Sequence, residues 1–110
     1  MRFEVLSGDA IIGWSELELG DPPMGVAYGR FHPSDLYVSS VHAGPATGLR
    51  MRPDGGEGVF ESVGGVHIED LSADFGPEEI EVTVLGLEAE TYAHFFPHHM
   101  EWYEKQLRLR

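Results

Sequence analysis

The sequence predicts an α+β fold: a mainly antiparallel sheet of about six to seven short strands, followed by a C-terminal helix kinked or broken at Pro97. Up to Gly86, apolar residues alternate with polar ones in short runs separated by Gly, Pro and Asp. Beyond Gly86 the period lengthens to about 3.6 residues, and Tyr92, Phe96, Met100, Tyr103 and Leu107 form one helical stripe. The chain has 110 residues, 42% of them hydrophobic, and no Cys. That is enough for one core, so a single domain is expected over 1–110, mainly β over 1–86 and helical over 87–110.

Each element has a local reason. In residues 2–6, Phe3 and Val5 share a face. Ser7-Gly8-Asp9 turns the chain into a second strand, residues 10–19, and the two form a hairpin. In that second strand the apolar parity moves from Ile12 and Trp14 to Leu17 and Leu19, which predicts a bulge near Ser15. Gly20-Asp21-Pro22-Pro23 breaks the ladder because proline has no N–H to donate. Residues 24–31 form a third strand, one face of which carries Gly25, Ala27 and Gly29. The segment that His32-Pro33-Ser34-Asp35 starts and that runs through His42 fits a short helix stopped by Gly44, with a strand as the alternative. Residues 49–52 and 58–63 read as strands joined by Pro53-Asp54-Gly55-Gly56-Glu57, where Pro and Asp-Gly favour a turn. Residues 66–73 switch parity again, which predicts a bulge near Glu69-Asp70. Ile80, Val82 and Val84 alternate with Glu79, Glu81 and Thr83, the clearest half-buried strand in the chain. In the final helix Pro97 disfavours helical geometry at Phe96 and fits the first turn of a second helix.

The formal net charge is −12, but it is unevenly spread. Residues 1–52 hold six acids against four arginines, while residues 53–104 hold thirteen acids and no Lys or Arg. Lys105, Arg108 and Arg110 make the C-terminal tip basic. Such a chain has no cationic footprint for nucleic acid. An acidic stretch either keeps a small protein soluble or steers a basic partner onto it. The first residues hold no long apolar run, and no segment reaches the ~20 apolar residues that span a bilayer. A cytoplasmic protein with no membrane partner is therefore expected.

Chemical motifs are few. Without Cys there is no thiol nucleophile, disulfide scaffold or zinc ribbon. There is no Gly-x-Ser-x-Gly elbow, no phosphate loop and no EF-hand loop, and no cofactor is expected. His94, His98 and Glu101 would share a row on an unbroken helix, a donor set suited to a divalent metal, although Pro97 disturbs that spacing. His42 or His67 with Glu69 or Asp70 supplies the raw material for an acid–base dyad. Glu78, Glu79, Glu81, Glu88, Glu90 and the off-stripe Trp102 are the candidates for contact with a basic partner, with Trp102 as an aromatic anchor.

Gly20-Asp21-Pro22-Pro23-Met24-Gly25-Val26-Ala27-Tyr28-Gly29-Arg30-Phe31, with Phe96-Pro97-His98-His99 and Tyr103-Glu104, resembles an uncharacterised group of small acidic bacterial proteins. The resemblance implies a bacterial origin and carries no activity. The leading expectation is a non-enzymatic module whose acidic surface docks a basic protein, with immunity proteins that neutralise a toxin as one example. The alternative is a small enzyme or ligand-binding domain with a His/carboxylate pocket beside the Gly25–Gly29 strand.

Overall fold

A computed structural model describes residues 2–44, 48–54 and 64–108. The expected strand at 58–63, and Gly55, Gly56 and Glu57 of the turn before it, lie outside the described residues. The described strands are β1 (Phe3–Ser7), β2 (Ala10–Ser15), β3 (Leu19–Asp21), β4 (Val26–Arg30), β5 (His32–Pro33), β6 (Leu49–Pro53), β7 (Gly65–Asp70) and β8 (Ile80–Leu85). The helices are α1 (Ser39–His42), α2 (Ser72–Phe75), α3 (Ala89–Phe95) and α4 (Pro97–Arg108), and Pro22–Met24 forms a 3-10 turn. The strands make two antiparallel four-stranded sheets, ordered β5-β2-β1-β6 and β3-β4-β8-β7. The fold is α+β, as expected, with its strands divided between two sheets.

Alternation explains which sides meet. Phe3, Val5 and Met51 of the first sheet and Ala27, Val66, Ile68, Ile80, Val82 and Val84 of the second join one buried cluster. Their neighbours Glu4, Arg52, Tyr28, Glu69 and Glu81 therefore lie on outer faces. Gly13 is part of the same packing: a Cβ there would run into the ring of Phe31 and the His32 carbonyl, so only glycine lets Phe31 bury completely.

Both parity switches have causes other than the expected bulges. In β2 the irregularity comes earlier than Ser15: Val5 pairs with Gly13 but Leu6 pairs with Ile11, leaving Ile12 as the extra residue. At Ser15 the strand ends. Leu17 adopts φ 46°, its N–H donates to Ser15 Oγ at 3.0 Å, and the chain crosses to the second sheet. A left-handed leucine costs roughly 1–2 kcal/mol, which full burial of its side chain offsets by about 1.5–3 kcal/mol. At Asp70 the second switch is also a strand end. The Asp70 carboxylate accepts Ser72 N–H at 2.9 Å and the Ser72 hydroxyl, turning the chain into α2.

The final helix breaks where proline chemistry requires. Phe96 leaves helical geometry (φ −129°, ψ 50°), α3 ends before it and α4 starts at Pro97. This junction joins the two sheets. Phe96 packs on Phe3 at 5.3 Å, while the Tyr92 hydroxyl donates to the Val26 carbonyl at 3.0 Å. From there α4 runs against β3 and the 22–24 turn. Among the described residues no helix is long and apolar enough to cross a membrane.

Candidate functional site

The edge of β4 shows how the acidic residues come together. β3 covers β4 only as far as Tyr28, because the chain has just crossed from the first sheet at Leu17. Beyond that point Glu18 supplies the missing acceptor: its Oε1 takes the Arg30 N–H at 3.1 Å. Gly29 makes room, since a Cβ there would collide with the Glu18 carboxylate. Gly25 is likewise closed, by the Leu87 carbonyl, and Leu87 N–H donates to the Gly25 carbonyl at 2.9 Å. The space beside Gly29 of β4, and beside Gly25, which lies outside the strand as the left-handed residue (φ 65°) closing the 22–24 turn, is thus taken by the chain itself, and open space begins further out.

That space is two adjoining hollows of about 310 Å³ each, which share Glu18 and Leu19. The first is lined by Glu18, Glu69, Glu78, Glu79 and Glu81, with Arg30 as its cation and Leu19, Leu71 and Ile80 as apolar walls. The register explains the crowding. Arg30, Glu81 and Glu69 form one cross-strand row over β4, β8 and β7. Like charges directly opposite each other destabilise a sheet. Accordingly the Glu81 carboxyl is held above its ordinary pKa, first by desolvation and then by the charges of Glu69 and Glu18. Arg30 forms no ion pair with Glu81; among the described residues the salt bridge is Arg52 with Glu4, at 2.9 Å on the first sheet.

The second hollow is lined by Glu18, Leu19, Gly20, Tyr28, His98, His99 and Trp102. Trp102 is 57% exposed. His99 is buried, stacks on Phe96 at 5.0 Å and meets the Tyr92 hydroxyl through Nδ1 at 2.9 Å. Gly20 leaves room for that pair, as a Cβ would strike Tyr92 Oη and His99 Nδ1. His99 Nε2 is buried and has no hydrogen-bond partner among the described residues. Burial, then the neighbouring His98, push the His99 pKa down, while the Leu17–Glu18 backbone and the Glu18 charge pull it the other way. The Tyr92 hydroxyl is pushed up to about 12, chiefly by burial.

The expected partner residues divide accordingly. Glu78, Glu79 and Glu81 meet in the first hollow and Trp102 lines the second, whereas Glu88 and Glu90 stand exposed at the start of α3 and line neither. Glu18, Glu69 and Tyr28 were missing from that expectation. Glu18 sits in the charge-balanced half of the sequence, and its place beside Glu81 depends on strand pairing.

The remaining motifs resolve differently. The break at Phe96 puts His94 on α3 and His98 on α4, so they do not share a helical row with Glu101. Among the described residues no three His, Asp or Glu side chains are arranged to hold a metal ion. Of the histidines considered for acid–base chemistry, His42 Nδ1 accepts Val38 N–H at 2.9 Å and His67 Nε2 meets the Gly64 carbonyl at 2.8 Å; neither bonds a carboxylate. Asp70 instead accepts the Tyr37 hydroxyl at 2.6 Å, which ties the 34–44 segment to β7. Its bonds from Ser72 and then Tyr37 lower the Asp70 pKa to about 2, while burial and Asp70 push Tyr37 to about 12. The fold and these hollows define a two-sheet α+β protein with an acidic, aromatic-edged surface. No family model, curated protein or solved structure matches the chain, so the functional reading rests on this geometry.

Proposed function

We propose that this protein is a non-enzymatic interaction module that docks a basic protein through the outer face of its second sheet. The observation that carries the reading is the gathering of Glu18, Glu69, Glu78, Glu79 and Glu81 around one hollow with a single arginine. A row in which Glu81 faces Glu69 costs stability, and local rules broken at a loss of stability mark functional surfaces. A cationic segment would relieve that repulsion, and the field of the face would accelerate encounter. A toxin neutralised by its immunity protein is one pairing of this kind. The cysteine-free composition fits a reducing cytoplasm.

The test separates local placement from total charge. Binding of a glycine-lysine repeat peptide is measured by calorimetry at about 0.05 M and about 0.3 M salt. The variant E78Q/E79Q/E81Q is compared with D9N/E88Q/E90Q, which removes the same charge away from the hollow. The first should weaken binding about tenfold and the second less than about twofold. Equal weakening by both variants would reduce the face to a general effect of net charge and defeat the reading.

A further inference from the structure

The second hollow has features that the acidic face alone does not explain. Trp102 is exposed, and among the described residues no aromatic ring or cation packs on it, although Tyr28 lines the same space. The other tryptophan of the chain is treated differently. The guanidinium of Arg2 lies 3.9 Å over the Trp14 ring, and His32 stacks on it at 3.9 Å, 13° from parallel. Trp14 has its cation within the chain; among the described residues Trp102 has none. Glu18, whose Oε1 accepts the Arg30 N–H, and the buried His99, whose Nε2 has no hydrogen-bond partner among the described residues, line the same hollow as Trp102.

We infer that the hollow formed by Tyr28, Trp102, Glu18 and His99 is a specificity site for an arginine side chain of the docked partner. The inference rests on the acidic-face reading and deepens it. A guanidinium is planar, weakly hydrated and donor-only, so it stacks on an indole while bonding a carboxylate. A lysine ammonium is a compact, strongly hydrated point charge and satisfies the first hollow equally well, but gains less from an aromatic wall. Since the two hollows share Glu18 and Leu19, one extended basic segment would reach both, charge holding it in the first and an arginine fixing its register in the second.

The experiment compares a glycine-arginine repeat peptide with the matched glycine-lysine peptide on the whole protein. The arginine peptide should bind about fivefold tighter. W102A, whose fold is checked by circular dichroism, should remove that preference while changing lysine-peptide affinity less than about twofold. E78Q/E79Q/E81Q should weaken both peptides in parallel. Equal binding of the two peptides, or a preference that survives W102A, overturns the arginine site and leaves the acidic face standing. Binding of neither peptide to the wild-type protein overturns the acidic face and the arginine site with it.

Discussion

On the outer face of the first sheet, Trp14 lies between Arg2 and His32, and Glu4 is paired with Arg52. Over the second sheet, Trp102 stands open, Glu81 faces Glu69, and Arg30 is the one cation among five glutamates lining the hollow. The two faces use the same residue types. In the first, Trp14 and Glu4 each have their complement within the chain, so these interactions stabilise the fold. In the second no such complement is found among the described residues, and the proposed partner would supply it.

The largest expected contrast lies between the tryptophans. W14A should lower stability by about 2–3 kcal/mol, since it removes a half-buried indole with its stacked histidine and its cation. W102A should change it by less than about 0.5 kcal/mol, as usual for an exposed side chain without partners. Chemical denaturation midpoints measure both, and similar losses would erase the distinction between the faces. Next, Y92F should cost about 1–2 kcal/mol by leaving the Val26 carbonyl and His99 Nδ1 without the hydroxyl they share. A loss below that range would show that the floor of the second hollow is not held by this bond.

A pH dependence separates a satisfied carboxylate from an unsatisfied one. Asp70 has its folded pKa lowered to about 2 from 3.8, so its contribution is complete above pH ~4 and fades as pH falls toward 2. The stability gap between wild type and D70N should close over that window in denaturation at stepped pH. Glu81 has a raised pKa, so its contribution has the opposite sign: protonation as pH falls through its folded value relieves a penalty.

How legible each face was in the sequence follows from the range of the interactions that build it. The strand at 80–85 and the break at Phe96 were readable because period-two burial and the steric demand of Pro97 are local. The parity switches near Ser15 and Asp70 were visible, but a switch marks only that the chain changes sides. It does not say whether the strand bulges or ends, and here the Ser15–Leu17 turn and the Asp70–Ser72 bonds end it. The division into two sheets is a matter of long-range pairing and left no local mark. Charge asymmetry pointed to Glu78, Glu79 and Glu81, yet also to Glu88 and Glu90, which are close in sequence and elsewhere in the fold. Glu18 was invisible for the converse reason: it reaches the hollow only because β3 stops short on β4.

The smallest effects test the account best, because their signs differ. Glu4 on the first face and Glu81 on the second are both strand glutamates with a cross-strand arginine, Arg52 and Arg30. E4Q should destabilise by about 0.2–1 kcal/mol through loss of its ion pair and leave binding of the glycine-lysine peptide unchanged. E81Q should stabilise by about 0.5 kcal/mol through relief of like-charge repulsion and weaken that binding. The decisive measurement is therefore stability and peptide affinity of E81Q, taken together on one preparation. A more stable protein that binds less well is the predicted result. A less stable protein, or one whose affinity is unchanged, would contradict the claim that the second face is kept uncompensated for a partner.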